Sequence, residues 1–178
     1  GQCVSVRSGY VQEFYGKTEL SWVDGVEVSN ACAEVDIAPV NLPPVRLGVD
    51  PVEQFEPYEG MFVRLAGVDG IVHGPTKRYA SGEEEIAWLG SALQPAVAGG
   101  RIFHFDAAEH AALQYLSNLL GAELPVANWG DRLRSENGGQ AALLGILDYN
   151  FGKYQFLPLP GTVLRVDPGN MSAETGLA

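Results

Sequence analysis

Two stretches near opposite ends of the chain share one order of apolar and polar positions. Residues 143–159 read LLGILDYNFGKYQFLPL: an apolar run, the turn Asn150-Phe151-Gly152-Lys153, then a second run through Tyr154 and Phe156. Two β-rich runs around a short glycine-containing turn predict a hairpin. Residues 9–20, GYVQEFYGKTEL, repeat the design without gaps, so that Gly9 matches Gly145, Tyr15 matches Phe151, Gly16 matches Gly152 and Lys17 matches Lys153. Each turn glycine is expected at positive φ.

The chain between these hairpins reads mainly as strand. Val4–Phe14, Lys17–Val23 and Val26–Ser29 predict three strands, joined at Tyr15-Gly16 and at Asp24-Gly25, as small barrels begin. Pro43-Pro44 excludes a helix from the proline-rich stretch 30–57, which reads as a crossover with a short strand at Val45–Leu47. Met61, Val63 and Leu65 alternate with Phe62 and Arg64 in a half-buried strand, and Glu85–Leu89 is expected as its antiparallel neighbour. The loop between them carries Lys77 and Arg78 beside Tyr79.

One helix is expected near 107–120, with Asp106 as N-cap, Glu109 three residues on, Ala108, Ala112, Tyr115 and Leu119 on one face, and Gly121 as the stop. Residues 122–140 read as a loop around Trp129, and Val163–Val166 leads into the tail. The pattern predicts a mainly β chain of two OB-fold-like β-barrels, or two halves of one elongated β unit. The first unit is 1–57, the second 58–166 with the helix inserted, and 167–178 is a linker.

Composition narrows the function. The 178 residues are 46% apolar and 19% charged, the balance of a globular protein. Eleven basic residues against 22 acidic ones give a net charge of -11, which repels polyanions at long range. No apolar run reaches the roughly 20 residues that span a bilayer. Cys3 and Cys32 are too few for a zinc site, and read either as two buried thiols or as a single bridge.

Catalytic patterns are missing. His104, Asp106 and His110 straddle a predicted strand end and helix start without a third strong ligand, and no phosphate-cradling loop or Gly-x-Ser-x-Gly occurs. Asp148-Tyr149-Asn150 reads as turn chemistry. Binding remains. Small barrels hold single-stranded nucleic acid by stacking bases on rings and tracking phosphates with cations. Tyr15 and Lys17 on the first hairpin, Phe151, Lys153 and Tyr154 on the second, and Lys77 and Arg78 on the loop are the candidates, with Tyr10 and Phe14 beside the first group. Against this, the same rings could fill barrel interiors.

Three segments carry a family likeness: GYVQEFYGKTEL, then PYEGMFVRL followed by Leu93-Gln94-Pro95, and LLGILDYNFGKYQFLPL. In this order the chain resembles the region that precedes the catalytic domain in secreted bacterial nucleases of the endonuclease/exonuclease/phosphatase type. The resemblance implies OB-like structure, a non-catalytic accessory role, an extracellular or cell-surface location and a Cys3–Cys32 bridge. It also implies a catalytic nuclease domain in the same full-length chain as partner and a divalent metal only in that following domain; contact of the candidate rings and cations with DNA or RNA is expected to be weak, because the net charge of -11 works against it. No Ser-Asp-His of the nuclease set occurs here, so no cofactor is expected in this chain. One departure stands out: RIFHFDAAEHAALQYLSNLL replaces the acidic Asp-Asp-Gly segment of that family. The alternative is a cell-surface β module that binds protein or glycan.

Overall fold

The computed structural model describes residues 3–32, 36–93 and 113–169. It is mainly β. The first element is a long two-stranded arm, β1 (Val4–Phe14) paired antiparallel with β2 (Lys17–Val28). Its turn residues Tyr15 and Gly16 have φ of 52° and 82°, the double positive φ of a two-residue hairpin turn matched to strand twist. β2 runs on through Asp24-Gly25, so the expected turn and third strand at 26–29 are absent. The pairing shifts between Ser8 and Tyr10, Trp22 takes φ 50° and Gly25 φ 64°: the dipeptide sits in a bulged stretch. Arg7 packs where a Cβ on Gly25 would stand, 2.8 Å from its own Cβ, and reaches Asp24 at 3.6 Å.

The remaining strands form one ten-stranded sheet. They are β3 (Val40–Asn41), β4 (Phe62–Leu65), β5 (Asp69–Val72), β6 (Lys77–Arg78), β7 (Glu84–Gly90), β8 (Gln114–Ser117), β9 (Arg132–Ser135), β10 (Leu143–Asn150), β11 (Lys153–Pro158) and β12 (Leu164–Asp167). Their order is β12-β9-β5-β7-β8-β11-β10-β4-β3, with β6 on the flank of β7. The sheet does not close on itself, and the arm is a ribbon rather than a barrel. The two expected barrels therefore resolve into an open sheet plus an arm. Among the described residues the arm has no third strand and no packed face of its own, which a barrel requires.

Other expectations shift with the topology. Strand β4 does alternate, with Val63 buried and Arg64 exposed, but it pairs with β10 and β3, while β7 pairs with β5 and β8. The short strand lies at Val40–Asn41 instead of Val45–Leu47, and β9 occupies part of the stretch read as loop. Residues 107–112 of the expected helix, with its N-cap Asp106, lie outside the described residues. Its second half is strand β8, where Leu116 and Ser117 are fully buried and Ala87 faces Tyr115 across the ladder. Alternating burial beside β7 overrides helical spacing there. The structure also has a short helix that no capping box announced, α1 (Pro51–Phe55), and a single turn, α2 (Glu136–Gly139), in which Asn137 and Gly138 are left-handed.

Val63, Ile86, Trp88, Leu116, Leu133 and Phe156 anchor the core. Trp88 lies over two glycines. A Cβ on Gly70 would come 2.8 Å from its Cε3, and one on Gly90 3.7 Å from its Cζ3. Cys3 and Cys32 are bonded as a disulfide with Cα atoms 5.9 Å apart, and Ser29 N donates to Cys3 O at 2.9 Å, so the base of the arm is closed.

Candidate binding site

The second hairpin repeats the first in its backbone. Phe151 and Gly152 take φ of 50° and 78°, and Asn150 faces Lys153 as Phe14 faces Lys17. The fold then sets the two turns against each other. Lys17 Nζ lies 2.5 Å from Asp148 Oδ1, Thr18 N donates to Glu59 Oε1 at 2.8 Å, and Gly16 abuts the Tyr149 ring. The arm is thus tied at its base by the disulfide and at its tip to β10 and the residue before Gly60.

Beside this junction a cleft of about 300 Å³ lies between α1 and the sheet. Asp50 builds one wall by capping α1: its Oδ1 accepts from Val52 N at 2.8 Å, and Pro51 takes the first helical position. Gln54 then holds the proline-rich stretch in place, donating to Pro44 O at 2.7 Å and accepting from Arg46 N at 3.1 Å. The helix presents Phe55 to Tyr154, with ring centroids 5.8 Å apart, and Tyr149 stands 4.9 Å from Tyr154 on the other side. Trp88 and Phe156 line the interior, and Tyr115, Phe151 and Lys153 the side toward the hairpin turn.

The candidate residues fall into distinct settings. Tyr15 and Phe151 are 88% and 86% exposed at the two turns. Tyr154 is buried, and its hydroxyl donates to Glu56 Oε2. Burial first, and that bond second, hold the hydroxyl well above the ordinary tyrosine range. Each candidate cation faces a carboxylate. Lys17 meets Asp148, Arg78 meets Glu84 at 2.8 Å, and Lys77 and Lys153 share Glu85 at 3.4 and 2.6 Å. Lys153 also lies 4.8 Å from the centre of the Tyr115 ring. Burial, then the charge of Glu85, pushes the Tyr115 hydroxyl up to about 12.

Phe151, Lys153 and Tyr154 therefore line one cleft, Tyr15 and Lys17 stand on the adjoining tip, and Lys77 joins through Glu85. The residues that sequence reasoning missed are Glu85, Asp50, Phe55 and Trp88. A signal existed for Glu85, an acid inside the otherwise strand-like EEIAWL. His104, Asp106 and His110 lie outside the described residues. Among the described residues no group of three or more His, Cys, Asp or Glu side chains is placed to hold a metal ion. No family model, no curated protein and no solved structure matches the chain.

Proposed function

We propose that this chain is a non-catalytic accessory region of an exported nuclease of the endonuclease/exonuclease/phosphatase type, and that it packs on the catalytic domain through its arm. One observation carries the packing role: Val4, Val6 and Tyr10 on β1, with Val26 and Val28 opposite the valines on β2, are all exposed. Interrupted only by the Ser8–Asp24 pair between Val6 and Tyr10, this is an exposed apolar sheet face on an otherwise acidic protein, which a partner surface covers. The arm is held ready for that role at low entropic cost, since the Cys3–Cys32 bridge and the Lys17–Asp148 pair hold both its ends. The bridge also suits an oxidising, extracellular setting. Among the described residues no helix is long and apolar enough to cross a membrane.

Two measurements test this. Reading the gene beyond Ala178 should reveal a metal-binding Asn and Glu and a closing Ser-Asp-His, and their absence would sink the nuclease reading. In that longer chain, Val6→Asp and Val26→Asp should raise hydrogen exchange in the surface that the arm covers. Unchanged exchange would remove the arm from the interface.

Weak contact with DNA or RNA is a second reading, favoured by the two exposed rings at adjacent turns. The cations beside them are already matched by Asp148 and Glu85, so stacking rather than phosphate attraction would supply the affinity. Titrating labelled single-stranded DNA at low salt against Tyr15→Ser and Phe151→Ser decides it: unchanged binding rules the rings out.

A further inference from the structure

We infer that the outer edge of β1 is a self-association surface, at which two copies of this chain pair their arms antiparallel about a two-fold axis through Tyr10. The inference uses the edge of the arm, not its apolar face, and is independent of what that face packs against.

The arm has two unpaired edges, and only one of them suits a partner strand. β1 and β2 form a sheet of their own, which no further strand joins among the described residues. β2 is interrupted: Trp22 and Gly25 take φ of 50° and 64° where the pairing shifts. A bulge of this kind blunts an edge against a neighbour. β1 has no proline, no lysine and no residue at positive φ, and all of it except Gln12 is exposed. Natural edge strands of that length usually carry a device against strand addition, and this one carries none.

Hydrogen-bond parity fixes which backbone groups a partner would meet. Phe14 and Lys17 flank a two-residue turn and close it as a hydrogen-bonded pair, so Phe14, Gln12 and Tyr10 turn their N–H and C=O groups toward β2. The alternate residues, Arg7, Gly9, Val11 and Glu13, turn theirs outward. No backbone bond from another described segment reaches them.

The side chains select a second copy as the occupant. Counted outward from Tyr10 in both directions, Gly9 matches Val11, Ser8 matches Gln12, Arg7 matches Glu13 and Val6 matches Phe14. Laid antiparallel on itself, the strand therefore sets polar against polar, apolar against apolar and arginine against glutamate. Parity agrees, since Gly9–Val11 and Arg7–Glu13 are outward-facing residues and exchange both backbone bonds. Slipping the register by two residues puts Arg7 opposite Val11 and Glu13 opposite Ser5, and the ion pairs are lost. Both charges are available: Arg7 is 70% exposed and reaches Asp24 only at 3.6 Å, and Glu13 accepts from Thr18 Oγ1 through Oε1, which leaves Oε2. Val11, 76% exposed, would face Gly9 of the second copy, where the Leu20 side chain already lies 2.9 Å from the place of the missing Cβ. Each sheet is tied to its arm at the tip, so antiparallel pairing sets the two sheets at opposite ends of the joined arms.

The test combines sedimentation and amide hydrogen exchange of the whole chain from about 10 μM to about 1 mM, the range in which a small interface associates. A monomer–dimer equilibrium should appear, and the amides of Arg7, Gly9, Val11 and Glu13 should gain protection with concentration while those of β10 stay unchanged. Arg7→Glu or Glu13→Arg alone should weaken the dimer about tenfold, because symmetry places each like-charged pair twice. The double swap should return it to within about threefold of the original. Tyr10→Cys brings two thiols to the axis, where facing Cα atoms stand about 4.5 Å apart, and should oxidise to a covalent dimer, whereas Ser8→Cys should not. The inference is overturned if the chain stays monomeric at about 1 mM, if a dimer forms without protecting those four amides, or if the double swap is as weak as the single changes. Should a variant fail to fold, amide protection in the unaltered chain decides alone.

Discussion

Removing Lys153 tests the charge arrangement beside the cleft. Glu85 is 2% exposed and takes its closest ammonium, Lys153 Nζ, at 2.6 Å, with that side chain 21% exposed. Lys77 sits 3.4 Å away on the other carboxylate oxygen, but 56% of its side chain faces solvent. Breaking a buried pair by removing one partner costs about 3–5 kcal/mol, and because Lys77 remains to compensate part of the charge, Lys153→Met should cost about 2–4 kcal/mol. Lys77→Met removes the longer, solvated contact and should cost less than about 1 kcal/mol. Adding Glu85→Gln to Lys153→Met relieves the stranded charge, so the double variant should be more stable than the sum of the single losses by about 1–3 kcal/mol.

Chemical denaturation with the disulfide intact reads all of these. In the same series Glu85→Gln should lower the Tyr115 hydroxyl from about 12 only in part, because burial is the larger cause and stays. The reasoning fails if Lys77→Met costs as much as Lys153→Met, or if the double variant shows no coupling.

Opening the bridge with Cys3→Ser and Cys32→Ser frees a separation of 29 residues and should cost about 3–4 kcal/mol on the chain-entropy estimate. Hydrogen exchange should rise in β1 and β2 and stay low in β10 and β11. The twin turns should respond unequally to alanine. Both glycines have positive φ, so each change should cost about 1–2 kcal/mol in strain. Gly16→Ala should cost more than Gly152→Ala, because its Cβ meets Tyr149 Cε1 at 3.0 Å while Gly152 meets nothing within 4 Å. Glu59 is held above the ordinary carboxyl range by burial, then by Glu56, Glu13 and Asp148, partly offset by the bond from Thr18 N. A raised folded value stabilises below the unfolded value and is lost as pH rises through the folded one, so Glu59→Gln should flatten the stability–pH curve in the mildly acidic range. An unchanged slope in the thermal midpoint would refute that assignment.

The parts of the fold that were legible in the sequence are those that local chemistry decides. Tyr15-Gly16 and Phe151-Gly152 announce their turns because a two-residue hairpin needs positive φ at both positions. Val63 beside Arg64 announces a half-buried strand. Illegible were the choices that depend on distant partners. Ala108 to Leu119 shows helical spacing, yet Tyr115 and Leu116 are drawn into strand β8 by the ladder to β7. Asp24-Gly25 is a strong turn dipeptide, but β1 continues opposite it as far as Val4 and holds β2 extended through a bulge. The candidate site was half visible for the same reason. Phe151, Lys153 and Tyr154 stood out on the hairpin, whereas Glu85, Trp88 and Phe55 become neighbours only through sheet order and α1.

The two hairpins differ in how much of their apolar and charged surface the fold already matches. Their turns share the double positive φ, but their first glycines are crowded differently: a Cβ on Gly9 would meet the Leu20 side chain at 2.9 Å, and one on Gly145 would meet the backbone oxygen of Leu157 at 2.2 Å. Their surroundings differ. Strands β10 and β11 are flanked by β4 and β8 and faced by α1, so Leu147, Tyr154 and Phe156 are core. Strands β1 and β2 carry the same kind of side chains with no strand on either edge among the described residues. Lys17 and Lys153, the cations common to both, are each matched by a carboxylate, which leaves little net charge to attract a phosphate strand. Exposed valines on a cross-linked arm have no such internal match. Their burial is the larger unspent free energy, at about 25 cal/mol per Å² of apolar surface covered, and it favours an apolar protein surface over a polyanion.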